Sequence, residues 1–126
     1  MKLNSTMRHI ALNYNEKEKA DIFFTKILGL KLIKSFSISK KLTEKIFNIA
    51  EDADVIVYGN ENTSFEIFIT KRIKNHIFEH VCIEVKSKEE FMEKCKKYGL
   101  SPYLVDKDDK KLLFVKDFSD NLFEIK

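Results

Sequence analysis

The sequence predicts an α+β protein built from two tandem βαβββ modules that form a cupped sheet with helices outside. Three observations predict it. Arg8-His9-Ile10-Ala11-Leu12-Asn13 and Glu79-His80-Val81-Cys82-Ile83-Glu84 share one layout: a charged residue, a histidine, then large apolar side chains alternating with small or polar ones. Each stretch is followed by a polar capping pair and an apolar stripe of helical period that ends in Gly-Leu, at Gly29-Leu30 and at Gly99-Leu100. Each half then closes on Phe-Glu-Ile, at Phe65-Glu66-Ile67 and Phe123-Glu124-Ile125. A repeat of this length is a supersecondary unit used twice.

The elements follow in order. Period two in the first stretch makes a strand with Ile10, Leu12 and Tyr14 on the buried face and His9, Ala11 and Asn13 opposite. Asn15 with Glu18 three residues on reads as a capping box, and Ala20, Phe23, Phe24, Ile27 and Leu28 form one stripe of an amphipathic helix. Gly29 ends it, and residues 31–38 return as a strand. Leu42, Ile46 and Ile49 fit a short extra helix capped by Ser39. Residues 54–58 and 64–70 then make a hairpin around Gly59-Asn60-Glu61-Asn62. In its second strand Phe65, Ile67 and Ile69 face one way, Glu66 and Phe68 the other.

Residues 71–75 are a polar seam. Beyond it Val81, Ile83 and Val85 are the buried face of a strand, with His80, Cys82 and Glu84 opposite. Ser87 with Glu90 caps a helix whose stripe is Phe91, Cys95 and Tyr98, ended by Gly99. Strands over residues 101–105, 111–115 and 121–125 complete the copy, with a charged turn over 106–110. The whole chain, 1–126, is expected to be one domain, module 1 covering about 6–71 and module 2 about 76–126. The His-to-Glu interval is 57 residues in the first copy and 44 in the second, and the helix inserted near Ser39 accounts for the difference.

Composition narrows the function. Hydrophobic residues make up 44% of the 126, eleven of them Phe, enough for a packed core. The net charge of +3 comes from lysines interleaved with acidic residues. Only Arg8 and Arg72 are arginines, so the basic clusters of a nucleic-acid binder are missing. Cys82 and Cys95 make neither a CxxC nor a disulfide scaffold. No apolar run approaches a membrane span. A reduced, cytoplasmic protein without nucleic-acid or membrane partners is expected.

Taken singly, a strand histidine or glutamate is usually a surface or hydrogen-bonded residue. The repeat changes that. His9, Glu66, His80 and Glu124 all leave their strands opposite the apolar stripe, which gathers two imidazoles and two carboxylates into one cup. Two carboxylates held together without a cation are costly, and a divalent ion removes that cost. The donor set suits Ni, Zn, Co, Fe or Mn. Phe68 and Leu122 share the inner face with the glutamates. Cys82 is read as a small wall residue and His76, in the connector, as a surface residue.

With these motifs the chain resembles the vicinal oxygen chelate superfamily, which includes glyoxalase I, extradiol dioxygenases and bleomycin-binding proteins. The resemblance rests on the His-Ile-Ala-Leu strand, the Phe-Phe to Leu-Gly-Leu helix end, the His-Val-Cys-Ile-Glu-Val strand and the closing Val115 to Ile125. One departure is that the family often has Pro and Gly in the last turn, where this chain has Phe118 and Asp120. The resemblance implies a glyoxalase-like fold and a homodimer. It also implies metal ligands at His9, Glu66, His80 and Glu124, with Glu66 or Glu124 as the catalytic base.

The activity so implied is a metal-dependent, glyoxalase I-like lyase or isomerase acting on a small substrate with vicinal oxygens through an enediolate. Two arginines supply no cluster for a glutathione carboxylate. The alternatives are a metal-free small-molecule or antibiotic-binding protein of the bleomycin-resistance type and an Fe(II) extradiol dioxygenase. In the latter, a fourth ligand at Glu66 would compete with oxygen or catechol.

Overall fold

The computed structural model describes residue 4, residues 6–71 and residues 76–126. Most of the polar seam, with Arg72, therefore lies outside the described residues. The first half runs β1 (Ile10–Tyr14), α1 (Lys17–Asp21), a π-helical turn (Ile22–Ile27), β2 (Lys31–Ile38), α2 (Lys40–Phe47), β3 (Ala53–Gly59) and β4 (Ser64–Ile69). The second runs β5 (His80–Ile83), α3 (Lys88–Lys97), β6 (Tyr103–Lys107), β7 (Lys110–Lys116) and β8 (Leu122–Ile125). Each half is a four-stranded mixed sheet, ordered β1-β4-β3-β2 and β5-β8-β7-β6. Strands β1 and β4 are parallel, as are β5 and β8, and the other neighbours are antiparallel. The tandem βαβββ architecture is thus present, with the expected cup divided between two sheets of identical strand order.

One face of each sheet builds the common core. Tyr14, Tyr58, Phe65 and Ile67 supply it from the first sheet, Leu113, Val115, Phe123 and Ile125 from the second. Phe23 and Phe24 from the helical turn sit between them. Phe24 lies 5.1 Å from Phe65 and stacks on Tyr58 at 5.2 Å, while Phe23 meets Phe123 at 4.9 Å. Burying each such ring stabilises the fold by about 1.5–3 kcal/mol.

The helix ends follow local chemistry. Ser87 Oγ accepts from Glu90 N at 3.1 Å and Ser39 Oγ from Leu42 N at 3.3 Å, so both serine caps form as the sequence predicts. The Asn15–Glu18 capping box does not form: Glu16 occupies the N-cap position, with no side-chain hydrogen bond there. Nor does the first helix stay α-helical. Leu28 N donates to Phe23 O at 2.9 Å, five residues back, which defines the wide turn. Past it Gly29 takes φ +74° and Gly99 φ +86°, left-handed terminators of the two helices. Leu100 N reaches back five residues to Cys95 O, whereas Leu30 N reaches six, to Phe24 O. The wide turn has added one residue.

Candidate metal centre

The open faces of the two sheets carry the predicted ligands in matching positions. On the parallel pair β1/β4, Glu66 lies opposite Ala11, and His9 stands two residues before Ala11. On β5/β8, Glu124 lies opposite Cys82, and His80 stands two residues before Cys82. The same diagonal brings His9 Nε2 to 3.3 Å from Glu66 Oε1 and His80 Nε2 to 3.5 Å from Glu124 Oε1. Strand pairing alone produces these contacts, because diagonal neighbours on one face are within reach of long side chains.

The donor chemistry of each pair fits a divalent ion. Both separations are long for a direct hydrogen bond. Two ligand atoms bound to one ion at about 2.0–2.2 Å stand about 3.0–3.5 Å apart. His80 adds a further sign. Its Nδ1 lies 3.0 Å from Phe78 O, and a carbonyl oxygen can only accept, so the ring proton sits on Nδ1. In the neutral ring that leaves the Nε2 lone pair free for a metal and fixes the ring's orientation, as outer-shell carbonyls do for ligating histidines. Glu124 is also held by Lys126, whose Nζ is 3.3 Å from Oε2.

The four residues come together as two pairs and not as one cluster. Among the described residues, no group of three or more His, Cys, Asp or Glu side chains is placed to hold a metal ion. The single chain therefore presents two separate His–Glu pairs. Their exposure agrees with this: the His9 and His80 side chains are 44% and 43% accessible, Glu66 and Glu124 25% and 17%.

The surroundings of the half-sites were only partly anticipated. Phe68 does share the face of Glu66, where Phe47 of α2 packs against it edge-on at 5.4 Å. The helix α2 thus lies against the first open face. Leu122 is opposite His80. His76 is not a plain surface residue: it is half-buried and lines a cleft of about 180 Å³ with Glu79, His80 and Leu122. Cys82 is exposed on the open face and Cys95 is buried. Burial pushes the Cys95 thiol up to about 11, so it stays protonated and inert.

Two features were missed. Tyr103 stacks on Phe114 in the row that contains Glu124. The signal for it was the Asp108-Asp109 turn, which sets residues 103 and 114 opposite each other. The second is a buried junction between the halves. Asn121 Nδ2 donates to Asp117 Oδ2 at 2.9 Å and to Asn13 O of β1 at 3.4 Å. Asp117 Oδ1 accepts from Ser119 N and Asn121 N at 2.9 and 2.8 Å. Burial raises the Asp117 carboxyl above its usual range, against the lowering effect of these hydrogen bonds. Burial, and then the charge of Asp117, push the Tyr14 hydroxyl up as well.

Solved structures share the fold. FosX, a fosfomycin resistance protein from Listeria monocytogenes, superposes with a TM-score of 0.74 at 16% identity, over 98% of this chain and 93% of that one. A glyoxalase family protein from Enterococcus faecalis gives 0.71 at 18% identity, covering 97% of both chains. One from Bacillus cereus gives 0.75 at 14%, over 99% and 94%. The chain has the fold of these FosX and glyoxalase family proteins. Within this glyoxalase-like fold, a FosX variant has been crystallised with Mn(II) and 1S,2S-dihydroxypropylphosphonic acid. No protein-family model and no curated protein matches the chain by sequence. Among the described residues, no helix is long and apolar enough to cross a membrane.

Proposed function

We propose that this chain is a metal-dependent lyase or isomerase of the glyoxalase I type, acting on a small substrate with vicinal oxygens, and that its metal centre is completed across a homodimer. The observation that carries this reading is the pair of equivalent His–Glu half-sites, each with ligand-like spacing and each left open in the single chain. The His9–Glu66 half of one subunit would face the His80–Glu124 half of the other. Uncovered apolar side chains support such a pairing: Leu32, Ile33 and Phe36 on β2, and Leu42, Ile46 and Phe47 on α2. On α2 all three stay about half exposed, Phe47 included although it meets Phe68.

Held by His9, Glu66, His80 and Glu124, a divalent ion would supply Lewis-acid polarisation of substrate oxygens. The remaining steps belong to the chain. The hydrogen bond from His80 Nδ1 to Phe78 O holds the imidazole in its binding tautomer. Glu66 or Glu124 takes the carbon-bound proton and returns it to the adjacent carbon, general base and then general acid. Phe68 and Leu122 narrow the access of water.

A FosX-type hydrolase is the second reading. It is favoured by the FosX neighbours and by the vicinal diol in one of them. The same carboxylate would then take its proton from water. Product analysis with methylglyoxal plus a thiol, and separately with fosfomycin, separates the two. A metal-free binding protein would fail both assays and purify without metal.

Complementation tests the shared centre. His9→Ala and Glu124→Gln chains are each expected to lose metal and activity. Mixed after denaturation and refolded together, they would regain about a quarter of the wild-type sites, because a heterodimer restores one intact centre out of two. No recovery, or a monomeric mass for the wild type, sinks the shared centre.

A further inference from the structure

In the second sheet, the row through Glu124 runs across all four strands: Cys82 on β5, Glu124 on β8, Phe114 on β7 and Tyr103 on β6. Residues directly opposite one another share a face, so all four side chains stand on the open face with His80. The two rings are stacked, with centroids 5.8 Å apart and planes 24° apart, and Tyr103 is 43% exposed. Strand spacing of about 4.8 Å puts Phe114 one strand and Tyr103 two strands from Glu124. The platform therefore starts beside the chelating pair and extends about 10 Å from it.

Nothing in the fold requires aromatic residues there. The equivalent row of the first sheet reads Ala11, Glu66, Val57 and Lys34. The first half instead places Phe68 and Phe47 on its open face, two residues along β4 from Glu66 and from the inserted helix. Both half-sites are thus flanked by a ring pair, reached by different residues. An exposed aromatic pair continuous with a chelating pair is the usual make-up of a site that orients a ligand by its polar end and grips it by its apolar end.

Resting on the function proposed above, we infer that the substrate carries a planar aromatic group next to its vicinal oxygens. Tyr103 and Phe114 are the specificity-determining residues that stack on it. A short aliphatic substrate would leave both rings in water.

Acetohydroxamate and benzohydroxamate test this, because both chelate through adjacent oxygens and differ only in methyl against phenyl. Each is titrated into the Mn(II)-loaded dimer by calorimetry. The wild type is expected to bind benzohydroxamate about 10-fold more tightly, the effect of one good ring–ring contact. Tyr103→Ala and Phe114→Leu are expected to bring the ratio near unity without changing acetohydroxamate affinity, and Tyr103→Phe to preserve it. Equal ratios in the wild type and Tyr103→Ala overturn the inference and leave the metal reading intact. The same holds if Tyr103→Ala merely dissociates the dimer, since the pair is then a subunit contact. Failure of both probes to bind a protein that retains no Mn(II) overturns the reading beneath it, and the inference with it.

Discussion

The two His–Glu pairs are alike in backbone and unlike in company. In each, the histidine stands two residues before the strand position opposite its glutamate. The flanks then diverge. Beside Glu66 stands Val57, which is buried, and two residues along β4 Phe68 meets Phe47 of α2. Beside Glu124 stands Phe114, half-buried and stacked under an exposed Tyr103. Glu124 is tied to Lys126, whereas Glu66 pairs only with His9 among the described contacts. Strand pairing dictates the His–Glu diagonal in both halves and leaves the flanks free to differ. One half sets a helix residue against its face and the other an exposed ring pair.

That contrast makes the two carboxylates unequal. Under the proposed function, Glu124, paired with Lys126, would remain a ligand, while Glu66, with fewer ties among the described contacts, would move between metal and substrate proton. Glu66→Gln is therefore expected to lower kcat by about 10²–10⁴-fold, the usual contribution of a positioned base. Glu124→Gln is expected to act chiefly on metal affinity. Metal content by mass spectrometry beside turnover at saturating metal separates the two effects. Equal losses on both counts would make the half-sites functionally equivalent and break the comparison.

Much of this was legible in the chain because it is local. Strand parity placed His9, Glu66, His80 and Glu124 opposite the apolar stripes, and Ser39 and Ser87 announced their helices. What was not legible depends on competition or on distance. Asn15 and Glu18 have the spacing of a capping box, yet the helix starts later, and its second half widens into a π-helical turn that carries the buried Phe23, Phe24 and Ile27. Periodicity is blind to that extra residue. The Tyr103–Phe114 stack needs the hairpin register, which a two-residue turn sets. Whether the two pairs meet depends on how sheets and subunits are placed, which strand patterns do not encode.

The turns before the last strands offer a second comparison. Asn60 Oδ1 accepts from Asn62 N and Thr63 N at 2.9 and 2.8 Å, while Asp117 Oδ1 accepts from Ser119 N and Asn121 N. Both are Asx turns, one exposed on a neutral side chain and one buried on an acid. Asp117→Asn is expected to destabilise the protein by about 1–3 kcal/mol, because its amide would face the Asn121 amide, leaving a donor unsatisfied. Since burial raises the folded carboxyl above 3.8, the folded state binds the proton more tightly than the unfolded. That contribution is complete below the ordinary value and is lost as pH rises through the raised one. Denaturant titrations across the acid range should show the gap between wild type and variant narrowing as pH rises. A gap that widens would mean that the turn's donors outweigh burial.

The smallest effect lies in the one residue by which these turns differ. Asn60 N donates to Thr63 O, three residues on, whereas Asp117 N donates to Asn121 O, four residues on. The longer loop must turn the chain further, and Asp120 does so at φ +62°, in the left-handed region where a Cβ is crowded. The residue there is an aspartate, one of the few side chains that tolerate such a φ. Asp120→Gly removes the crowding but gives the unfolded chain more freedom. The two nearly offset, and the variant is expected to be more stable by about 0.5 kcal/mol. Gly29→Ala, at φ +74° with open space around its Cβ, isolates the backbone cost and should destabilise by about 1 kcal/mol. If Asp120→Gly instead destabilises, the aspartate side chain, and not its backbone, is what the turn relies on.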